Sequence, residues 1–408
     1  MPGYVGSKVA GVAFDFSIGR LSILKLLIIA FAVCVGQIGF PNGAASAEEN
    51  LRLPFAATFS GQFAEIGTRM WREGLLPGVA DVNKRGGIHG RQLEFYKIDV
   101  RFPETAGWIA EFRRLCKDVG IPIIFGIGTT KSTIAIFEDN RKCGLPVFSP
   151  FSSGAWPYKT GAGKRDFGCC LFRYQPLPDD VLPILIKTAK ERLGIKTVAL
   201  SHSIDDRAAV HNVRVSRKAL TEVGIKIVND LGFKNAETNL QPQTSSIRHS
   251  RADAIIMHHR PGLAGALLLQ LRNRRVKTQI LTDSNIGSID FWKQSQGKAK
   301  GSIGYSLYAA DDPNPAAQAW VKQWRILTGR KGVPDAFVTT YYDAVLVLAH
   351  VLKTAKSLTR KDIITSFLKV ENHETLSGAI TWSNVGDILR PAPVLVQVGD
   401  EGVLNLWK

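Results

Sequence analysis

The stretch that decides the fold runs from Leu51 to Asp99. It begins LRLPFAATFSGQFAEIG (residues 51–67) and ends DVNKRGGIHGRQLEFYKID (residues 81–99). An apolar strand opens into a Ser-Gly turn, a helix follows, and residues 83–87 break that helix before a second strand. This β-turn-α-β order predicts a parallel sheet with a ligand site at the carboxyl ends of its strands.

Apolar strands and amphipathic helices continue to alternate as far as about residue 305. The candidate strands are 51–58, 92–99, 121–126, 146–150, 197–202, 225–228, 253–258 and 279–283. Repeated β-α units of this kind predict doubly wound parallel sheets. The alternation falls into two blocks with a seam near residues 171–176, so we expect two α/β lobes. Residues 379–382 and 393–398 predict a terminal hairpin.

The first 47 residues predict a secretory signal peptide. Lys8, Arg20 and Lys25 precede an unbroken apolar run over residues 26–35, and Ala-Ser-Ala at 45–47 provides a cleavage site. The alternative is a membrane anchor, but the run is about half of the roughly 20 apolar residues needed to span a bilayer. We therefore expect export to the periplasm and a mature chain that starts at residue 48.

The mature chain carries 49 basic and 34 acidic residues, a net charge of +15. Such a charge could indicate a polyanionic partner. The basic residues are scattered, however, and no basic run is interleaved with aromatic residues as in a nucleic-acid groove. We expect a solvated basic surface and no nucleic-acid partner.

Cys116 and Cys143 fall late in two consecutive predicted helices. Disulfides are allowed in an oxidising periplasm but are not required there. The sequence leaves both a bridge between these residues and a pair of free buried thiols open.

The most informative turn is Phe125 to Thr133, which reads FGIGTTKST. Its two glycines let the backbone turn closely, and hydroxyl groups crowd the start of the next helix, which suits a carboxylate. Thr130 occupies the position where a nucleotide-binding P-loop requires glycine. Lys131 occupies the position where a dinucleotide-binding fingerprint requires glycine. The alternative is ordinary helix capping by Thr129 or Thr130. A second hydroxyl cluster, residues 149–153, follows the next strand.

Motifs of covalent or metal chemistry are missing from the sequence. His202, His258 and His259 fit no zinc signature, and neither G-x-S-x-G nor H-E-x-x-H occurs. We expect no enzyme activity, no cofactor and no metal site.

The sequence of residues 51–99 resembles that of the Leu/Ile/Val-type periplasmic binding proteins. The order of predicted elements up to about Val398 also resembles the order in that family. These proteins are the receptors of branched-chain amino-acid ABC importers. The resemblance implies a type I periplasmic-binding fold in which the chain crosses three times between two lobes. One lobe would comprise residues 48–172 and 306–375, and the other 173–305 and 376–408. The hinge segments would lie near residues 171–175, 302–306 and 372–378.

The resemblance also assigns a ligand site to the first lobe. Receptors of this type hold the ligand's α-carboxylate with hydroxyl and N–H groups from two loops. The matching positions here are Thr129, Thr130 and Ser153, with Phe151 offering its carbonyl. Ile66 matches an apolar or aromatic wall position.

The second lobe departs from the family pattern. Asp206 and its neighbours replace a Tyr-Gly or Phe-Gly pair, and Arg260 lies beside the position where an aromatic often stands. Ser284 occupies the position of the carboxylate that receives the ligand's ammonium, although Asp283 lies next to it. Asp206 or Asp283 could supply that carboxylate, whereas Arg260 could pair with a second carboxylate on the ligand.

The sequence thus predicts an exported, monomeric receptor of an ABC importer. It would bind a small carboxylate-bearing ligand, a branched-chain amino acid or a related compound, and deliver it to an inner-membrane permease. The alternatives are a periplasmic sensing module for an amide or organic acid and, less favoured, an enzyme on the same fold.

Overall fold

The computed structural model describes residues 49–101, 104–152, 170–383, 388–390 and 394–408. The first sheet has five parallel strands in the order β2-β1-β3-β4-β5. They are β1 (Leu51–Ala57), β2 (Leu93–Asp99), β3 (Ile124–Gly126), β4 (Val147–Ser149) and β5 (Leu171–Arg173). The pairing of β1 with β2, from Leu51 opposite Leu93 to Ala57 opposite Asp99, is the β-turn-α-β unit expected from the sequence.

The second sheet has seven strands in the order β14-β13-β10-β9-β8-β6-β7. They are β6 (Thr197–Ser203), β7 (Lys226–Phe233), β8 (Ala254–His258), β9 (Gln279–Thr282), β10 (Ile303–Ser306), β13 (Val394–Val398) and β14 (Leu404–Leu406). Strands β6 to β10 are parallel, and β13 and β14 add antiparallel pairs at one side. The predicted fold class, two α/β sheets dominated by parallel strands, is confirmed.

The predicted terminal hairpin does not form as one unit. Strand β11 (Thr381–Trp382) pairs with β12 (Ile388–Leu389), whereas β13 pairs with β10 and β14 in the second sheet. The Trp382 ring packs against Phe148 and Phe367 of the first core, with centroids 5.6 and 5.1 Å away. The burial of this indole explains why β11 stays with the first sheet.

Thirteen α-helices connect the strands within the described ranges. They are α1 (Ala64–Arg69), α2 (Leu76–Lys84), α3 (Ala106–Lys117), α4 (Thr130–Ala135), α5 (Phe137–Cys143), α6 (Pro178–Leu193), α7 (Arg207–Glu222), α8 (Gln241–Ser250), α9 (Pro261–Asn273), α10 (Ile289–Gln294), α11 (Pro315–Thr328), α12 (Ala336–Thr354) and α13 (Arg360–Leu368). Short 3₁₀ turns span Gly61–Phe63, Ser284–Gly287 and Asp400–Gly402.

A π-helical segment, Met70–Leu75, joins α1 to α2. The Leu76 N–H bonds to the carbonyl of Trp71, five residues back. Pro77 follows at the start of α2 and has no N–H to donate to residue 73, so the wider turn fits a helix that has lost one ordinary bond. The proline therefore marks a change of helix geometry within the continuous helical stretch of residues 64–84.

Helix α12 forms the centre of the first core. It is long and apolar enough to cross a bilayer, but 83% of its apolar window is buried inside the protein. Tyr341, Val345 and Leu348 are fully buried among the strands and helices of the first sheet. Its length and hydropathy thus reflect packing in a protein core.

The chain passes three times between the two sheets. It leaves the first sheet after β5, returns after β10 to place α12 and α13 in the first core, and rejoins the second sheet at β13. This path is the one that the family resemblance implies. The lobe boundaries and hinge segments given above remain predictions.

A disulfide joins Cys116, at the end of α3, to Cys143, at the end of α5, with Cα atoms 5.7 Å apart. Of the two alternatives that the sequence left open, the structure contains the bridge. It ties together two helices that cover the same face of the first sheet.

We predict that the Cys116→Ser/Cys143→Ser variant is less stable than the oxidised wild type. The bridge closes a segment with a sequence separation of 27 residues, for which chain entropy predicts a loss of about 3 to 4 kcal/mol. Urea unfolding with and without a reductant measures this. Equal unfolding free energies for the oxidised wild type and the variant would contradict the prediction.

Candidate functional site

The carboxyl ends of both sheets meet at one cleft with a volume of about 90 Å³. The first sheet contributes residues that follow β1, β3 and β4, and the second contributes residues that follow β6, β8 and β9. The lining residues are Ala57, Thr58, Phe63, Ile66, Gly67, Met70, Gly128, Thr129, Thr130, Phe151, Asp206, Ala208, Ala209, Asn212, His259, Arg260, Pro261, Asp283, Asn285 and Phe337. This is the position that an open parallel sheet offers to a ligand.

The turn after β3 forms the hydroxyl-rich part of the first wall. Gly126 has φ +118°, and a Cβ there would lie 2.2 Å from the Ala56 carbonyl oxygen, so the close turn requires glycine. Thr129 caps α4, since its hydroxyl accepts from the Ser132 N–H at 3.2 Å. The capping role considered for Thr129 is therefore present, and Thr130, 6% exposed, lies beside it on the cleft.

Apolar side chains complete the first wall. Ile66 and Met70 come from the helix after β1, and Phe151 comes from the turn after β4. The Phe151 ring lies 3.8 Å from that of Phe337, at the start of α12. These groups provide a dry surface for an apolar part of a ligand.

On the second wall, Asp206 and Arg260 form an ion pair. Arg260 Nε lies 2.5 Å from Asp206 Oδ2, and the aspartate side chain is 7% exposed. The other oxygen of Asp206 caps α7 by accepting from the Ala208 N–H at 2.9 Å. The Arg260 guanidinium also lies 5.0 Å from the Phe63 ring centroid, across the cleft. Each charge is thus matched within the wall.

Asp283 is the most deeply buried carboxylate of the cleft, at 1% exposure. It accepts from Asn212 Nδ2 at 2.8 Å and from the Asn285 N–H at 3.0 Å, and His258 Nδ1 lies 2.9 Å away. Burial pushes the pKa of Asp283 up, but His258 and the two hydrogen bonds outweigh it and hold the pKa below the usual range. The side chain is therefore ionised at neutral pH.

His259 lies between two serines. Its Nε2 is 2.8 Å from Ser201 Oγ and its Nδ1 is 2.8 Å from Ser203 Oγ. Burial, together with the neighbouring His258, lowers the pKa of His259 to about 3. The ring is neutral at physiological pH and adds no charge to the cleft.

Seven of the nine residues predicted from the sequence line this cleft: Ile66, Thr129, Thr130, Phe151, Asp206, Arg260 and Asp283. Ser284 begins the 3₁₀ turn after Asp283 but does not line the cleft. Ser153 lies outside the described residues.

Thirteen further residues line the cleft and were not singled out as ligand contacts, among them Phe63, Asn212, His259, Asn285 and Phe337. His259 directly follows a predicted strand, which is a signal for a ligand site, but from the sequence it was considered only as a metal ligand. Asn212 lies in the second turn of α7, where no motif in the sequence marks it. Its Oδ1 is buried and has no hydrogen-bond partner among the described residues.

A larger cavity of about 410 Å³ lies beside the cleft. Helices α1 and α10 and the loop before α12 form it, and Arg69 projects from α1 to Asp335 at 3.2 Å and Asp290 at 3.5 Å. No described strand of the first sheet lines it, and neither does any of the eight predicted residues that the structure describes. We therefore take the smaller cleft as the candidate site.

The size of the cleft sets the size of its ligand. A volume of about 90 Å³ is several times the roughly 10 to 15 Å³ that one buried water needs, so the cleft admits a small molecule. A small amino acid or a short carboxylic acid is of this size. A nucleotide or a peptide is too large for the cleft as it stands.

Comparison with known proteins identifies the family. The family described as "Periplasmic binding protein" matches residues 50–400. The Leu/Ile/Val/Thr/Ala-binding protein of Pseudomonas aeruginosa is 22% identical over 369 residues, which cover 90% of this chain and 93% of that protein. The Leu/Ile/Val-binding protein of Escherichia coli is 22% identical over 366 residues, covering 88% and 93%.

Solved structures share the fold. LivJ of Streptococcus pneumoniae, in complex with isoleucine, has a TM-score of 0.76 at 21% identity and covers 87% of this chain and 97% of its own. A solute-binding protein from R. palustris, in complex with 4-hydroxybenzoate, has a TM-score of 0.74 at 16% identity, covering 88% and 96%. Proteins of this fold therefore bind chemically different ligands.

We predict that His259 makes the protein less stable in acid. Its folded pKa of about 3 lies below the usual histidine pKa of about 6.5, so the unfolded chain takes up a proton that the folded chain excludes. Stability therefore falls as the pH drops from 6.5 towards 3, by about 2 to 3 kcal/mol at pH 4.5.

Urea unfolding at pH 7.5 and pH 4.5 tests this with two variants. His259→Gln should reduce the pH dependence by that amount, whereas His249→Gln, at an exposed position, should keep it. The same pH dependence in both variants would show that His259 is not the group responsible.

Proposed function

The chain belongs to the periplasmic binding protein family, and from this premise we propose that it is an exported receptor of an ABC importer. Its ligand is a small amino acid with an apolar side chain, held between the two sheets. The observation that carries this proposal is the pairing of two walls in one cleft. One wall offers hydroxyl groups and a helix start, and the other offers a buried, ionised carboxylate.

The first wall would bind the ligand's carboxylate. The turn after β3 presents Thr130 and the backbone N–H groups at the start of α4, which favour a negative charge. The Thr129 hydroxyl caps the helix, and Thr130, which lines the cleft beside it, is a candidate for the contact. Ser153, from the next turn, remains a sequence-based candidate for a second hydroxyl.

The second wall would bind the ligand's ammonium group. Asp283 is ionised and lies next to Asn212, whose Oδ1 has no partner within the described chain. A buried ammonium needs a carboxylate partner. Ser284 occupies the position where the family places that carboxylate, and the adjacent Asp283 would provide it here. Both groups accept hydrogen bonds, so they favour a ligand end that donates them.

Arg260 is less suited to a second ligand carboxylate. Its guanidinium is paired with Asp206 and lies over Phe63. A dicarboxylate would have to compete with Asp206 for this charge. Ile66, Met70, Phe151 and Phe337 favour an aliphatic or aromatic side chain instead. An apolar amino acid matches the hydroxyl-rich turn with its carboxylate, Asp283 with its ammonium, and the apolar side chains of the cleft with its own side chain.

The mechanism of capture would use the three chain crossings as hinges. With the cleft open, the first wall binds the carboxylate. Rotation about the hinges then brings Asp283 and Asn212 to the ammonium, and the ligand's higher affinity for the closed form shifts the population towards that form.

The relatives named above are called binding proteins, and the same role here needs no covalent step. Residues 1–47 would direct export, and the permease in the inner membrane would receive the loaded form.

We predict that leucine stabilises the mature chain, residues 48–408, and that analogues lacking either end do not. A ligand at 100 times its dissociation constant adds about 2.7 kcal/mol to the free energy of unfolding. Thermal-shift assays would compare leucine with 4-methylpentanoic acid, which lacks the amine, and 3-methylbutylamine, which lacks the carboxylate. Stabilisation by 4-methylpentanoic acid equal to that by leucine would contradict the role of Asp283.

We also predict that Thr130→Ala combined with Ser153→Ala abolishes stabilisation by the ligand and leaves the fold intact. The variant removes the two hydroxyl groups assigned to the carboxylate. The matched control is Thr221→Ala with Thr365→Ala, which removes two exposed hydroxyl groups from α7 and α13. Calorimetric titration measures the affinity, and an unchanged dissociation constant in the first variant would refute the carboxylate assignment.

A further inference from the structure

A row of basic residues lies along the edge of the second sheet where its parallel strands begin. At least one lysine or arginine precedes or starts each of β6 to β10, and all of them are exposed. We call this row the basic edge; it comprises Lys196, Lys226, Arg251, Arg275, Lys277, Lys298 and Lys300.

The register of the sheet places these residues side by side. Thr197 pairs with Lys226, and Ala254 pairs with both Val198 and Gln279. Since all five strands run in one direction, their starts lie at a single edge. Neighbouring strands are about 4.8 Å apart, so the five strands span roughly 19 Å.

The centre of the row has little compensating charge. Lys300 pairs with Asp400 at 2.5 Å. Arg251, Arg275 and Lys277, by contrast, have no carboxylate within 4.0 Å among the residues that the structure describes. Asp253, exposed just before β8, places one negative charge in this part of the row and accepts from the backbone N–H groups of Lys196 and Thr197. Three neighbouring cations are thus exposed together.

Helix electrostatics explains part of this pattern. Helices α6 to α9 end just before these strands, and cations near helix carboxyl ends are favourable. That preference accounts for a basic residue after each helix. Because the helices run in parallel, their carboxyl ends lie at the same edge of the sheet, and the basic residues that follow them form one row. The combined electric field of this row favours an anionic partner.

The shape of the row favours an extended partner over a small ligand. None of its residues lines the cleft or the larger cavity beside it. The cleft lies at the opposite edge of the sheet, beyond the carboxyl ends of β6, β8 and β9. An exposed row of cations roughly 19 Å long matches a surface with repeated negative charges.

We propose that the basic edge binds the anionic phospholipid headgroups of the membrane that holds the permease. The choice of a membrane rests on the proposed function, since an exported receptor works at that surface. Binding through this edge points the cleft away from the lipid, so the protein can take up its ligand while it is held at the membrane.

The test is co-sedimentation of the mature chain with lipid vesicles. We expect binding to phosphatidylethanolamine vesicles containing phosphatidylglycerol, weakening as salt is added, and no binding to phosphatidylcholine vesicles. The Arg251→Gln/Arg275→Gln/Lys277→Gln variant should bind roughly 100-fold more weakly, since each basic residue near such a surface contributes about fivefold.

A matched variant separates the basic edge from net charge. Lys117→Gln/Lys353→Gln/Lys369→Gln removes three exposed lysines that lie in, or directly after, helices packed on the first sheet and should keep vesicle binding within about threefold. The single variant Lys277→Gln, at an exposed position, should show about a fivefold loss and covers the case in which the triple variant does not fold.

Three results would overturn the proposal. They are equal losses in the two triple variants, no binding to anionic vesicles, and binding to heparin without binding to vesicles. Thermal stabilisation by leucine, measured on the same samples, tests the cleft separately. Vesicle binding without thermal stabilisation by leucine would contradict the proposed ligand but not the role of the basic edge. Thermal stabilisation by leucine without vesicle binding would contradict the role of the basic edge but not the proposed ligand.

Discussion

All strands of a parallel sheet end at the same edge, and this constraint creates the site. The turns after β1, β3 and β4 must lie together, and so must those after β6, β8 and β9. The three passages of the chain between the sheets bring these two edges face to face. Residues that are far apart in sequence, such as Thr130 and Asp283, line one small cleft as a result.

Burial then decides what each charge in the cleft can do. Asp206 and Arg260 neutralise each other, whereas Asp283 is surrounded by groups that donate to it or lie beside it. A carboxylate stripped of water stays ionised only when such partners replace the solvent. The second wall consequently holds an ionised carboxylate, Asp283, with Asn212 as a neighbouring acceptor. The opposite edge of the same sheet, where its parallel strands begin, carries the row of exposed lysines and arginines.

The sequence was sufficient to predict the fold class, because alternating apolar strands and helices report directly on parallel sheets. It also located the first wall, since a turn such as Phe125 to Thr133 has a local signature. Its limits lay in tertiary contacts. Asn212 reaches the cleft from the second turn of a helix, and no spacing rule marks such a residue. The pairing of Asp206 with Arg260 depends on two strands lying close in space, so the sequence alone left Arg260 open to a ligand. The break in the terminal hairpin follows from the burial of Trp382, which its neighbours in sequence do not reveal.

The most direct test of the account is a crystal structure of the mature chain grown with leucine. The account predicts the ligand in the cleft between the sheets, with its carboxylate at Thr130 and the start of α4 and its ammonium within hydrogen-bond distance of Asp283. A ligand bound in the larger cavity beside Arg69, or one bound in the cleft with its amine directed away from Asp283, would contradict it.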